Sequence, residues 1–143
     1  MRTDHVETDY LIIGAGAVGL AFADTLLSET DAHITIVDRR GKPGGHWNDA
    51  YAFVTLHQPS SFYGVNSMPL GSGRRDTIGL NQGLYELASG AEVLGYFDRV
   101  MNQRLLPSGR VSYHPLSNVL EDGSFESLLS GRRTQVRVRR KTV

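Results

Sequence analysis

The sequence predicts an α/β domain that opens on a strand, a helix and a second strand, and three observations predict it. Tyr10–Ile13 is an unbroken apolar run ending at glycine, as in a parallel strand buried on both faces. Gly14, Gly16 and Gly19 follow at G-x-G-x-x-G spacing. A second apolar run, Ile34–Val37, closes on an acid, Asp38, 24 positions after Gly14.

Each part has a physical reason. Gly14 allows the tight turn out of the first strand. Gly16 has no Cβ, so the backbone can come close to a pyrophosphate, and Gly19 lets the helix pack on the sheet. The helix is expected over Ala17–Ser28, with Val18, Ala21, Phe22 and Leu26 facing the core at helical spacing and Ala23 small enough for close packing. Its first turn presents free N–H groups and the positive end of the helix dipole to phosphates. Asp38 is placed to accept hydrogen bonds from the hydroxyls of an adenosine ribose. Sixteen glycines in 143 residues produce accidental spacings. Here, however, the flanking strand, the helix, Ala23, the second strand and its terminal acid all agree. The set reads as a nucleotide-cofactor site.

Residues 1–8 are polar and read as a loose tail. After the glycine-pair loop, which extends to about Ala50, Ala52–Thr77 is rich in Pro, Ser, Gly, Asn and aromatics, and short irregular elements with binding duty are expected there. Gly83–Ala88 is expected as a short helix. Ala91–Leu105 carries Val93, Leu94, Phe97, Val100 and Met101 at helical spacing, and Pro107-Ser108-Gly109 breaks that helix. Val111–Tyr113, Phe125–Leu129 and Gln135–Arg139 read as strands, the last two joined through Gly131 as a hairpin.

The segment from Asp38 to Trp47 holds an acid, five positions, then the pair Gly44-Gly45 followed by His46-Trp47. This resembles the large FAD-dependent oxidoreductases of the glutathione-reductase and flavin-containing-monooxygenase type. Tryptophan after the pair is closer to the flavin-containing monooxygenases and Baeyer–Villiger enzymes. The resemblance is strong over residues 8–70 and looser beyond. It implies an α/β, Rossmann-like βαβ FAD/NAD(P)-binding domain with a C-terminal β-hairpin. The pyrophosphate would lie over Gly14, Ala15, Gly16, Ala17, Val18 and Gly19, and the ribose at Asp38 and Arg39. The flavin end would point toward Gly45, His46, Trp47, His57 and Gln58. His57-Gln58-Pro59 departs from the family's usual Thr-Asn at that place. His57 reads equally as a hydrogen-bond partner of a flavin and as a polar residue of an aromatic loop. The implied parent reaction is reduction of the flavin by NAD(P)H, then oxygenation of a substrate. No residue is a convincing acid, base or nucleophile, so none is named catalytic.

Arg39 and Arg40 allow a rival reading, since an arginine beside the second strand suits the 2′-phosphate of NADP, although an acid at position 38 would repel it. The bland reading of both is a solvated turn. The rival functions are a non-catalytic NAD(P)-binding module and an inactive truncated remnant.

The length has room for one domain, 1–143, and is too short for the two nucleotide-binding domains of flavin monooxygenases. A second G-x-G-x-x-G is absent, and Gly71-Ser72-Gly73 sits among polar residues as a loop. The expectation is a truncated, N-terminal portion of a longer flavoprotein, partnered by the missing C-terminal portion or by a homo-oligomer. Fifteen basic and fifteen acidic residues balance, so no global field draws nucleic acid or an anionic membrane. The basic cluster Arg132-Arg133 and Arg137–Lys141 alternates with Val136 and Val138, the pattern of a strand with one buried and one wet face. There is no cysteine, hence no disulfide or thiolate metal site, and the five histidines show no close metal spacing. The apolar run Tyr10–Ala23 is too short for a bilayer and follows Asp4, Glu7 and Asp9 where a signal peptide would be basic. A cytoplasmic protein is expected.

Overall fold

The computed structural model describes residues 3–51 and 53–143; Met1, Arg2 and Ala52, which fall in the expected tail and irregular stretch, lie outside them. The chain opens with β1 (Asp4–Ile13), α1 (Ala17–Glu29) and β2 (Ile34–Val37). A small hairpin, β3 (Gly64–Val65) and β4 (Met68–Pro69), precedes α2 (Gly90–Arg99). Four strands follow: β5 (Val111–His114), β6 (Ser117–Val119), β7 (Phe125–Ser127) and β8 (Arg133–Thr142). The main sheet runs β5-β2-β1-β8-β7-β6. Its first four strands are parallel, and β8, β7 and β6 form an antiparallel meander. The expected βαβ opening and C-terminal hairpin are both present.

The polar tail is not loose over residues 4–8. Those residues are the first half of β1, with Asp4 opposite Thr134 and Thr8 opposite Val138. Their partner lies some 130 positions away in the arginine-rich strand. Arg132 meets Asp4 at 3.3 Å, and Arg139 meets Glu7 at 3.2 Å and Asp9 at 2.9 Å. Exposed pairs of this kind add little energy singly, and the backbone ladder carries the strand. Val136 and Val138 point inward against Leu11, Val37 and Phe125, a small second core on the sheet face away from the helices.

Helix α1 begins where its glycines predict, but its buried face is centred on Leu20, Ala23 and Leu27. Val18, expected in the core, is 82% exposed because the first turn stands clear of the sheet. Ala21 and Phe22 are half-buried, and Leu26 is buried as expected. Asp24 is fully buried on the same helix. Its carboxylate accepts from Arg104 Nε at 3.2 Å, from the Ser67 N–H at 3.1 Å and from the Ser67 hydroxyl. It thereby ties α1 to the β3–β4 turn and to the end of the second helical segment.

That segment starts at a capping box, in which Ser89 and Glu92 satisfy each other's backbone N–H groups. It continues through a π-helical stretch, Val100–Leu105, as the expected Ala91–Leu105 helix requires. Tyr96, Phe97, Val100, Met101 and Leu105 fill the main core with Ile12, Ile34 and Ile36. The Tyr96 hydroxyl straps the small hairpin, accepting from the Val65 N–H at 2.7 Å and donating to Met68 O at 2.5 Å.

Gly83–Ala88 is not helical. The Ser60 N–H donates to Glu86 O and the Leu56 N–H to Ala88 O, both at 3.0 Å, so extended pairing claims the carbonyls that a helix would use. The Glu86 carboxylate closes this region by accepting from the N–H groups of Ser72 at 2.6 Å and Gly73 at 3.1 Å.

Two tests follow from these contacts. Arg104→Met leaves the Asp24 carboxylate buried without its cation and is expected to cost roughly 3 kcal/mol in urea unfolding. Asp24→Leu added to Arg104→Met should recover part of that loss. Separately, the Ser72 N–H holds the Glu86 carboxyl below its ordinary range. Its contribution is therefore complete above the unfolded value, roughly pH 4.3, and is lost as pH falls through the lower folded value. Hydrogen-exchange protection of Ser72 and Gly73 should collapse over that acid window, and in Glu86→Ala it should be low throughout.

Candidate nucleotide-cofactor site

The parallel ladder brings the C-terminal ends of β1 and β2 side by side, with Ile13 opposite Val37. Gly14 leaves β1 at φ +107°, and its N–H donates to Val37 O at 2.8 Å. Helix α1 then starts at Gly16 with no side-chain cap and no acid in its first turn. Its leading N–H groups are thus left for an outside acceptor, at the positive end of the helix dipole. A Cβ on Gly19 would lie 2.3 Å from Gly14 O, so the third glycine is what seats the helix on the loop.

The glycine pair stacks on this loop. Gly44 N–H donates to Ala15 O at 2.9 Å, and a Cβ on Gly45, whose φ is +55°, would sit 3.0 Å from Gly16 Cα. Backbone meets backbone there.

Asp38 joins the two turns. It is 7% exposed; Oδ2 accepts from the Ala15 N–H at 2.7 Å and Oδ1 from the Arg40 N–H at 2.9 Å. Its own N–H donates to His114 O on β5 at 3.1 Å. The Arg40 guanidinium is tied to Asp49, with Nη2 2.5 Å from Oδ2, and that bond raises its pKa further. Arg39 is exposed at the rim. Burial pushes the neighbouring Tyr113 phenol up to about 12 and lowers His114, so β5 presents neutral groups beside the carboxylate.

Three openings lie along this line. One of about 370 Å³ covers Gly14, Gly16, Ala17, Val18 and Gly19, with Asp38, Arg40, Gly45 and His46. A second, of about 250 Å³, shares Ile13, Gly14, Asp38 and Arg40 with the first and extends past Arg39 to Ser117, Asn118 and Val119. The third, about 220 Å³, is bounded by His46, Trp47, Ala50, Val54, Leu56 and His57. The Trp47 ring stacks on His46 and donates to the Tyr63 hydroxyl at 3.0 Å. Of the residues expected from sequence, all but two line one of these openings. Ala15 is buried and takes part through its backbone, and Gln58 is exposed outside all three. Sequence reasoning missed Ser117–Val119, which sit on a strand of three residues with no pattern to announce it. It also missed Asp49, whose role appears only through Arg40.

Residues 12–63 match the family model of the NAD(P)-binding Rossmann-like domain. Uncharacterized proteins of Mycobacterium bovis and Mycobacterium tuberculosis are each 54% identical over 138 residues, covering 96% of this chain and 26% of theirs. Among solved structures, the polycyclic ketone monooxygenase from Thermothelomyces thermophila superposes with a TM-score of 0.69 at 22% identity, over 99% of this chain and 23% of that one. The flavin-containing monooxygenase from Stenotrophomonas maltophilia gives 0.64 at 21%, over 96% and 38%. The fold is Rossmann-like, and it is shared with a portion of each of these two larger monooxygenases. The chain spans about a quarter of the length of the curated relatives it matches. Among the described residues, no helix is long and apolar enough to cross a membrane, and no three His, Asp or Glu side chains gather as a metal site.

The geometry of this Rossmann-like loop makes Asp38 necessary before any ligand arrives. Asp38→Ala should lower the stability of the ligand-free chain by roughly 2 kcal/mol in urea unfolding, because two backbone N–H groups lose their acceptor. Unchanged stability would mean that the carboxylate serves a ligand alone.

Proposed function

We propose that residues 1–143 form the FAD-binding portion of a cytoplasmic, flavin-dependent oxidoreductase of the monooxygenase type. The observation that carries this reading is the backbone stacking of Gly45 on Gly16, beside which three openings with shared walls follow one another from Asp38 across the uncapped start of α1 to Trp47. In this reading the ribose sits at Asp38 with Arg39 beside it, in the opening that reaches Ser117–Val119. The pyrophosphate takes the free N–H groups over Gly14–Gly19, where a close backbone approach is sterically open. The flavin end runs past Gly45 and His46 toward Trp47 and His57, and Gln58 stands outside the opening they line. Bound there, FAD supplies the redox chemistry, with NAD(P)H as the reductant in the whole protein. The chain's own part is to bind, orient and shield: Trp47 and Leu56 give apolar walls that exclude water, and His57 offers a hydrogen bond.

A second reading is an NAD(P)-binding module without catalysis, favoured by the description of the matching family model. The Asp38 carboxylate and the pairing of Arg40 with Asp49 both disfavour a 2′-phosphate, so this reading calls for NAD before NADP. The deciding measurement is the visible absorption spectrum after incubation with FAD and removal of excess ligand. We expect a retained flavin spectrum that Gly45→Ala abolishes or weakens at least tenfold. A colourless protein that NAD stabilises against heat would favour the binding module. No effect of either nucleotide would leave a remnant that binds neither.

A further inference from the structure

Between Arg74 and Glu86 the chain forms a closed arm. The Asp76 N–H donates to Leu84 O at 2.8 Å, the Gly83 N–H to Asp76 O at 2.7 Å, and the Glu86 N–H to Arg74 O at 2.9 Å. Asn81 Nδ2 braces the inside, bonding Asp76 Oδ2 at 2.7 Å and Tyr85 O at 2.9 Å. The Glu86 carboxylate clamps the base onto Ser72 and Gly73. This well-bonded arm carries an apolar tip: Ile78 is 83% exposed, Leu80 fully exposed and Leu84 61%. Three large aliphatic side chains exposed within seven positions of one well-bonded arm mark a contact surface.

A second apolar outcrop belongs to the same backbone ladder. Tyr51 and Phe53 stack at 5.5 Å in the open, immediately before Val54, whose carbonyl accepts from the Gly90 N–H at 2.9 Å. Leu56 with Ala88 and Ser60 with Glu86 continue that ladder to the base of the arm. One run of backbone bonds therefore holds an exposed apolar group at each end.

We propose that the arm tip is the docking element for the polypeptide that the longer relatives carry outside the region matched here. The match covers 96% of this chain, so it includes the arm, while it accounts for only 26% of each relative. The remainder of such a relative is tethered to this domain and meets it at high effective concentration. A pre-ordered apolar arm loses little conformational entropy when such a partner covers it. This inference is independent of the cofactor reading.

The test places Leu80→Asp in two settings: this chain alone, and a chimera of the full-length Mycobacterium tuberculosis relative whose matched region is replaced by this chain. In the isolated chain the melting temperature should move by less than about 2 °C, since Leu80 touches solvent. In the chimera it should fall by about 5 °C or more. A substituted chimera that fails to fold, beside an isolated variant that melts normally, supports the same conclusion, and Leu80→Ala should then give a graded fall. Equal, small shifts in both settings would overturn the proposal. So would light scattering that shows the isolated chain as a dimer which Leu80→Asp returns to monomer, since the occupant would then be a second copy. Flavin retention is read in parallel: its loss in every form would remove the cofactor reading and leave the docking result untouched.

Discussion

The buried carboxylate of Asp38 is the constraint on which the site's shape depends. A charge with 7% exposure needs strong donors, and here they are the backbone N–H groups of Ala15 and Arg40. Ala15 in turn accepts from Gly44, so a single side chain fixes the first turn, the second turn and the glycine-pair loop against one another. The loops are pre-set by their own bonds. A ligand arriving there has little backbone to order, which is the condition for a site that binds through main-chain groups.

The same arrangement sorts charge along the line of openings. The uncapped helix start offers partial positive charge from its own N–H groups, while Asp38 places negative charge one turn away. Arg40 would blur that contrast if its guanidinium were free, but Asp49 holds it. One end of that line thus suits an anion and the other suits hydroxyl donors, with neutral Tyr113 and His114 behind. The backbone geometry and this polarity agree on the direction in which a dinucleotide would lie.

Much of this was legible in the sequence, for identifiable reasons. The glycine spacing, the position of Asp38 and the glycine pair are local constraints, set by φ values and close approach, and local constraints are written in neighbouring residues. The helix over Ala91–Leu105 and the basic strand with inward Val136 and Val138 were legible by periodicity. What escaped depended on distant partners. Residues 4–8 become strand only because β8, from the far end of the chain, offers them a backbone ladder. Gly83–Ala88 is extended because Leu56 and Ser60 bond to its carbonyls. Asp24 looks like a solvated helix residue until Arg104 and Ser67 close over it. Val18 follows the apolar periodicity, yet the first turn of a helix that opens a binding loop projects beyond the sheet, so periodicity overstates its burial.

The exposed apolar side chains are not symptoms of a missing core. The helix-side core is closed, with Tyr96, Phe97, Leu105 and Ile36 all without measurable exposure, and the opposite face has its own cluster around Phe125. Exposure falls largely at places held by backbone hydrogen bonds: Ile13 and Val18 on either side of the glycine loop, Tyr51 with Phe53, the 74–86 arm, Leu128 and Leu129 in the turn between β7 and β8, and Val143 after β8. A loop that merely failed to pack would carry neither the internal bonds of that arm nor the carboxylate clamp at its base. These surfaces are presented by a fold whose cores are already closed on both faces of the sheet.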